Sequence, residues 1–296
     1  MNPLKFFPPG SRRLELDEKV ALVTGGGNGI GRETAHSLAA RGCFVAVLDA
    51  DEAAAKQVAT EVGEHRAVGV AADVRDRDAV AEAVRMVLRR WGRLDVVVAN
   101  AGVTPEPATV RVGDPTDFER VVSVNLFGVL NTAKATVEPL LHSRGHIAVV
   151  ASAAAFCPPV GGSSYMVSKA AVEQLGRALR LELAPHGVTA TVCYFGVVDT
   201  RLAHATLDRD PLGEALNAML PSPLRGRITA HEAAQAVVTA VERRRARTTA
   251  PAAWEPVSLL RGLLNPALDR LLVRDTRLHT LIRELEDRVL RSRCSR

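Results

Sequence analysis

Thr24-Gly25-Gly26-Gly27-Asn28-Gly29-Ile30-Gly31 is the stretch on which the reading of this chain turns. It continues the apolar run Val20–Thr24 and leads straight into the amphipathic run Arg32–Arg41. Glycines permit a tight turn and let backbone approach a pyrophosphate closely. The helix that follows offers free N–H groups and the positive end of its dipole to an anion. Strand, glycine turn and helix in that order predict a dinucleotide-binding unit. Thr24, Gly25, Asn28, Gly29, Ile30 and Gly31 are its candidate cofactor contacts.

Working outward, short apolar runs recur at Phe44–Asp49, Ala67–Ala72, Leu94–Ala99, His146–Ser152 and Val188–Phe195. Each is apolar on both faces, as in parallel strands covered by helices on two sides. Amphipathic stretches such as Ala79–Trp91 lie between them, with Val80, Val84, Val87, Leu88 and Trp91 at helical spacing. The alternation predicts an α/β fold, a Rossmann-type doubly wound parallel sheet flanked by helices. The chain divides into an N-terminal extension (1–17), a cofactor-binding domain (18–250) with a substrate-loop insertion (201–225), and an Arg-rich helical extension (251–296). Asp49 ends the second run, where a carboxylate can bind ribose hydroxyls and repel a 2′-phosphate. The expected cofactor is therefore NAD, with NADP disfavoured.

Tyr165 and Lys169 are four residues apart in the helical segment Ser164–Leu183, which places them on one face. A neighbouring ammonium favours the phenolate, so the pair is a candidate proton donor and acceptor. Ser152 closes the fifth apolar run, at the sheet edge where ligands bind.

With these residues in place the chain resembles the short-chain dehydrogenase/reductase family, in its compact single-domain branch. The similarity runs from about Asp17 to Arg245. The glycine spacing of the turn, Asp73-Val74, Asn100-Ala101-Gly102, and the ordered set Asn125, Ser152, Tyr165 and Lys169 all match the family's motifs. The resemblance implies that Asp73 and Val74 hold the adenine ring and that Tyr165 is the catalytic acid/base. It implies that Lys169 lowers the Tyr165 pKa and binds the nicotinamide ribose, that Ser152 holds the reacting oxygen, and that Asn125 holds a water linking Lys169 to solvent. Where the family has P-G-x-x-x-T, this chain reads Phe195-Gly196-Val197-Val198-Asp199-Thr200. Gly196, Val198 and Thr200 are then the expected nicotinamide contacts. Ser152, Phe156 and Phe195 are the expected substrate-pocket residues, with simple core packing the alternative for Phe195. The family's closing V-D-G-G is replaced by Arg-Thr-Thr-Ala-Pro at Arg247–Pro251. A homodimer or homotetramer is expected, and the altered end puts in doubt the tetramer packing built on it.

Composition narrows the function further. Net charge is +5, but thirteen arginines against seven acidic residues fall within Val241–Arg296, so the excess belongs to the tail. That tail has no recognition motif and one aromatic, Trp254, which argues against nucleic acid. Leu278, Leu281, Ile282, Leu285 and Val289 form one apolar stripe, read as docking on protein, with a membrane surface the less favoured alternative. Cys43, Cys157, Cys193 and Cys294 show no metal-ligand spacing and read as free thiols, and no metal is expected. No apolar run reads as a signal peptide, which leads to a cytoplasmic expectation. The leucines of 201–225 suggest an apolar substrate, such as a steroid, terpenoid or lipid-like secondary alcohol or ketone, with packing of the loop onto the domain the alternative. A non-catalytic nucleotide-binding regulator is the rival class. It would have no use for a matched proton relay.

Overall fold

In the computed structural model, residues 13–157, 160–204, 208 and 211–294 are described. The N-terminal Phe6-Phe7-Pro8-Pro9 lies outside them. The elements run β1 (Val20–Thr24), α1 (Gly29–Ala39), β2 (Phe44–Asp49), α2 (Glu52–Val62), β3 (Ala67–Ala71), α3 (Arg77–Trp91) and β4 (Val96–Ala99). The second half runs α4 (Pro115–Val122), α5 (Gly128–Ser143), β5 (His146–Val150), α6 (Ser163–Leu183), β6 (Thr189–Phe195), β7 (Val198–Asp199) and the single turn α7 (Arg201–Ala203). It closes with α8 (Pro211–Met219), β8 (Ile228–Thr229), α9 (Ala230–Glu242), β9 (Arg247–Ala250), α10 (Trp254–Leu272) and α11 (Thr276–Cys294).

Seven parallel strands form the sheet in the order β3-β2-β1-β4-β5-β6-β9. The order reverses between β1 and β4, and that crevice at the carboxyl ends of the strands is where such sheets bind ligands. Two apolar layers account for its stability. Leu22, Leu48, Val97, Ile147, Val149 and Val192 face one set of helices. Val23, Val45, Val47, Val96, Val98 and Ala148 face α1 and α9. Several helices start at side-chain caps. Asp76 accepts from the backbone of Asp78 and Ala79, and Thr229 with Glu232 forms a capping box on α9.

The six expected strands are present, and a seventh, β9, adds to the edge beside β6. Ser152 is not in a strand; it lies just past β5 and caps the 3-10 turn Ala153–Ala155. Cys43, Cys157 and Cys193 are free thiols. Burial pushes Cys43 and Cys193 up to about 12, leaving them inert. The side chain of Cys294 lies outside the described residues.

The C-terminal extension is two helices that dock on the domain. Trp254, at the start of α10, is 3% exposed and packs edge-on against Phe156. Arg261 reaches back to the buried Glu173 of α6 with two bonds, 2.7 and 2.5 Å. In α11, Leu278 and Leu285 are buried while Leu281, Ile282 and Val289 are half-buried, so the apolar stripe faces protein. The opposite face of α10 leaves Leu259, Leu263 and Leu271 exposed. Among the described residues no helix is long and apolar enough to cross a membrane.

Candidate active site

The glycine turn sits at the sheet crevice between β1 and α1. Gly25 and Gly29 have φ of +61° and +52°, where a side chain would be strained. A Cβ on Gly31 would lie 2.0 Å from the Gly25 carbonyl oxygen, so the turn closes only around a bare α-carbon. The Asn100-Ala101-Gly102 segment after β4 clasps this turn. Thr24 Oγ1 accepts from the backbone of Asn100 and Ala101 at 3.1 and 3.2 Å. Asn100 Nδ2 donates to the carbonyls of Thr24 and Gly25. A cradle of this kind, with an N-terminal helix end beneath it, fits a dinucleotide pyrophosphate.

Asp49 ends β2 beside the turn. Its two oxygens accept from the backbone N–H groups of Gly27 at 2.9 Å and Asp51 at 3.0 Å. The nearby cation of α1, Arg32, is tied to Glu33 and Glu61. Asp73 lies just past β3. Its carboxylate is gripped by the Arg75 guanidinium, which keeps it below the usual carboxylate range. Val74 is buried, and its carbonyl accepts from Asn131. On the far side of the crevice, Thr200 caps α7 and brings its methyl next to Gly29. Val198 is buried beside it, so the segment after β6 reaches over to the phosphate turn.

Around the β5 edge the four expected side chains converge. Asn125 lies in a π-helical turn, Ser123–Phe127, an irregularity that often marks functional sites. Its Oδ1 accepts from Val103 N at 2.8 Å. Its Nδ2 donates to the Val103 carbonyl and to Ser168 Oγ, both at 3.0 Å. Ser168 Oγ in turn donates to the Tyr165 carbonyl at 2.8 Å. Asn125 is thus a strut between the β4 loop and α6, with one Oδ1 lone pair left. Lys169 is 3% exposed, and its Nζ donates to the Val150 carbonyl at 2.9 Å. Its Nζ lies 5.5 Å from the centre of the Tyr165 ring. A Cβ on Gly102 would come within 3.3 Å of Asn125 Oδ1 and 3.4 Å of Lys169 Nζ, so this glycine keeps the gap between them open.

Burial acts on both members of the Tyr165–Lys169 pair. Burial pulls Lys169 from 10.5 down to about 8. Burial also pushes the Tyr165 phenol up, offset in part by its hydrogen bond with Ser152. Desolvation is the largest influence on Tyr165 and holds its pKa above the usual phenol value.

The two phenylalanines expected at the pocket are both largely buried. Phe156 and Phe195 are 4% and 3% exposed and belong to the core. Phe156 stacks on Tyr194 with centroids 5.8 Å apart and on Trp254, and Phe195 packs among the residues facing α1 and α9. Ser152, half-buried, does face Tyr165. In the segment after β6, Leu220 and Leu224 pack on the core, while Leu202 is 40% exposed. Leu207 and the side chains of Leu212 and Leu216 lie outside the described residues. Three contributors were missed in the sequence: Ser168, Arg75, and Trp254, whose indole nitrogen would lie 2.5 Å from a Cβ on Gly196. The i,i+3 relation of Ser168 to Tyr165 was the available signal for the first; the others gave none.

The model of a family described as short chain dehydrogenase matches residues 19–210. Cyclohexanol dehydrogenase of Rhodococcus sp. (strain TK6) is 38% identical over 211 residues, 64% of this chain and 78% of its own. Probable oxidoreductase EphD of Mycobacterium tuberculosis is 37% identical over 202 residues, 67% of this chain, which spans 34% of the length of that relative. Among solved structures, 3-ketoacyl-(acyl-carrier-protein) reductase from Brucella melitensis complexed with NADH superposes with a TM-score of 0.72. It shares 26% identity, over 80% of this chain and 99% of that one.

Proposed function

Because the chain belongs to the short-chain dehydrogenase/reductase family of oxidoreductases, we propose that it interconverts a secondary alcohol and a ketone with NAD, using Tyr165 as acid/base. The observation that carries this reading is the convergence of Ser152, Tyr165 and Lys169 at the β5 edge, facing a glycine turn built for a pyrophosphate. When bound, the nicotinamide dinucleotide supplies or accepts the hydride. Thr24 to Gly31 would hold its pyrophosphate, Asp49 its adenosine ribose, and Asn100 to Gly102 with Gly196, Val198 and Thr200 its nicotinamide half. Asp73 and Val74 would border the adenine.

In the reducing direction, the Tyr165 hydroxyl donates its proton to the carbonyl oxygen, and Ser152 orients that oxygen by a hydrogen bond. In the oxidising direction, the Tyr165 phenolate, stabilised by Lys169, takes the hydroxyl proton and becomes the phenol. The proton then passes by Lys169 towards solvent, through a water placed by the remaining Asn125 lone pair. Positioned acid–base groups of this type contribute about 100- to 10,000-fold.

NAD is favoured over NADP because Asp49 and Asp51 put negative charge at the end of β2, which would repel a 2′-phosphate, and Arg32 is already paired with acids. An apolar substrate body is supported by exposed Leu202 beside the crevice and by the cyclohexanol dehydrogenase relative. The test is turnover with NAD and NADP across secondary alcohols of growing apolar size, with hydroxy acids and sugars as controls. NAD-dependent oxidation that improves with apolar size is expected. Cofactor binding without turnover on any alcohol or ketone would favour the non-catalytic regulator.

A further inference from the structure

α11 sits across three segments that surround the crevice, although it lies more than 100 residues along the chain from two of them. Glu286 accepts from Thr109 Oγ1 at 2.7 Å and from Arg111 at 2.5 Å, on the loop after β4. Leu285, 1% exposed, presses on Gly161 in the loop after β5; a Cβ there would be 2.9 Å from Leu285 Cδ2. Gly161 also has φ +76°, so the loop makes this contact only because the residue is glycine. The two loops are joined beneath α11 by a short parallel bridge between Ala108 and Gly162. Gly162 caps α6, and Tyr165 is in the first turn that follows. On its other side α11 meets α8, across a cavity of about 630 Å³ whose walls include Met219 and Leu281.

We infer that α11 is a wall of the substrate cleft supplied by the chain's own C-terminus, and that Leu285 and Glu286 are positioning residues that set substrate fit. They hold the β4 and β5 loops together at the start of α6 and fix the distance from those loops to α8. A substrate entering between the loops and α8 therefore meets an opening whose width α11 sets. None of these contacts involves the glycine turn, Asp49, Asn100–Gly102 or Lys169, so cofactor affinity should change far less than substrate fit. The inference rests on the oxidoreductase reading for its substrate and on the contacts alone for its geometry.

The experiment uses full-length Leu285→Asp and Glu286→Ala, with Leu285→Met as the conservative control. An acid at position 285 cannot stay against Gly161 and should lift α11. For the best alcohol of the panel, KM should rise about tenfold or more in both variants while kcat falls less than about threefold. The NADH Kd should stay within about twofold, and Leu285→Met should behave as wild type. Amide exchange should quicken at 105–113 and 160–166, and not in the glycine turn. If Leu285→Asp does not fold, Glu286→Ala alone decides, because it removes a surface clamp and leaves the apolar contact. Unchanged KM in folded variants would overturn the assignment, whatever the exchange shows. Should wild type turn over no alcohol, the reading of the reaction fails. Amide exchange then decides the wall by itself: unchanged rates at both loops would overturn it.

Discussion

Replacing Lys169 by Met should stabilise the cofactor-free protein at pH 7 while removing its activity. The ammonium is 3% exposed and has one hydrogen bond, to the Val150 carbonyl. Its pKa falls from 10.5 to about 8 on burial, so keeping it protonated in the fold costs about 3 kcal/mol relative to the unfolded chain. Met has nearly the same shape and carries no charge. The substitution leaves the Val150 carbonyl without its side-chain donor, a loss of about 1–2 kcal/mol. The net gain is then about 1–2 kcal/mol, or roughly 2–8 °C in Tm for a domain of this size. The folded pKa is depressed, so between pH 8 and 10.5 the unfolded chain binds more protons than the folded one. Wild-type stability should therefore rise through that window. The advantage of Lys169→Met should be full below pH 8 and should disappear above pH 10.5, where both states are neutral. Urea unfolding of both proteins at several pH values reads this directly. A variant less stable than wild type at pH 7, with a deficit that does not change up to pH 10, would refute the reasoning.

Four further outcomes follow from the same site and its surroundings. Tyr165→Phe should keep NADH affinity and the fold but lose about 100-fold or more in turnover; near-normal turnover removes Tyr165 from the mechanism. With NAD preferred by about tenfold or more in kcat/KM, Asp49→Ala should narrow the gap, and equal use of both cofactors by wild type would defeat the assignment of Asp49. Because burial raises the Tyr165 phenol, ketone reduction should hold its rate at neutral pH while alcohol oxidation climbs as pH rises above 7; pH profiles that fall in the opposite sense count against a phenol as the proton carrier. Arg261→Met should destabilise by about 3 kcal/mol, since it leaves the Glu173 carboxylate, 3% exposed, without its charge partner and with only its hydrogen bond to Tyr194. Adding Glu173→Leu should recover most of that loss in a thermal melt, and a failure to recover would locate the effect in α10 packing instead.

Six strands were legible because each is apolar on both faces, a pattern that only a covered parallel sheet requires. β9 was not, and the reason is its place. Arg247-Thr248-Thr249-Ala250 is an edge strand with one neighbour, β6, so it needs no apolar run; Arg247 instead lies over the Tyr194 ring at 5.5 Å. The stripe of α11 was legible as a buried face, but periodicity says nothing about what a face packs on. The answer depended on Gly161 and Thr109, far away in sequence. Phe156 and Phe195 were expected at the pocket from the family's arrangement of that region. Their real partners, Tyr194 and Trp254 for one and the α1/α9 layer for the other, are tertiary contacts that no spacing encodes.

The Tyr165–Lys169 pair shows the same division within one site. Four-residue spacing on a helix fixes that the two side chains are neighbours. It does not fix which way their pKa values move, because two opposing effects of similar size compete. An ammonium beside a phenol lowers the phenol, whereas removing both from water raises the phenol and lowers the ammonium. The outcome depends on how dry the site is, and that is set by elements outside the motif. Gly102 brings the β4 loop down over Lys169, and the loop is braced by Asn125 from its π-helical turn. Ser168 ties that brace to the backbone of Tyr165 itself. The motif therefore specifies which groups exchange the proton, and the loops around it specify the pH at which they do so.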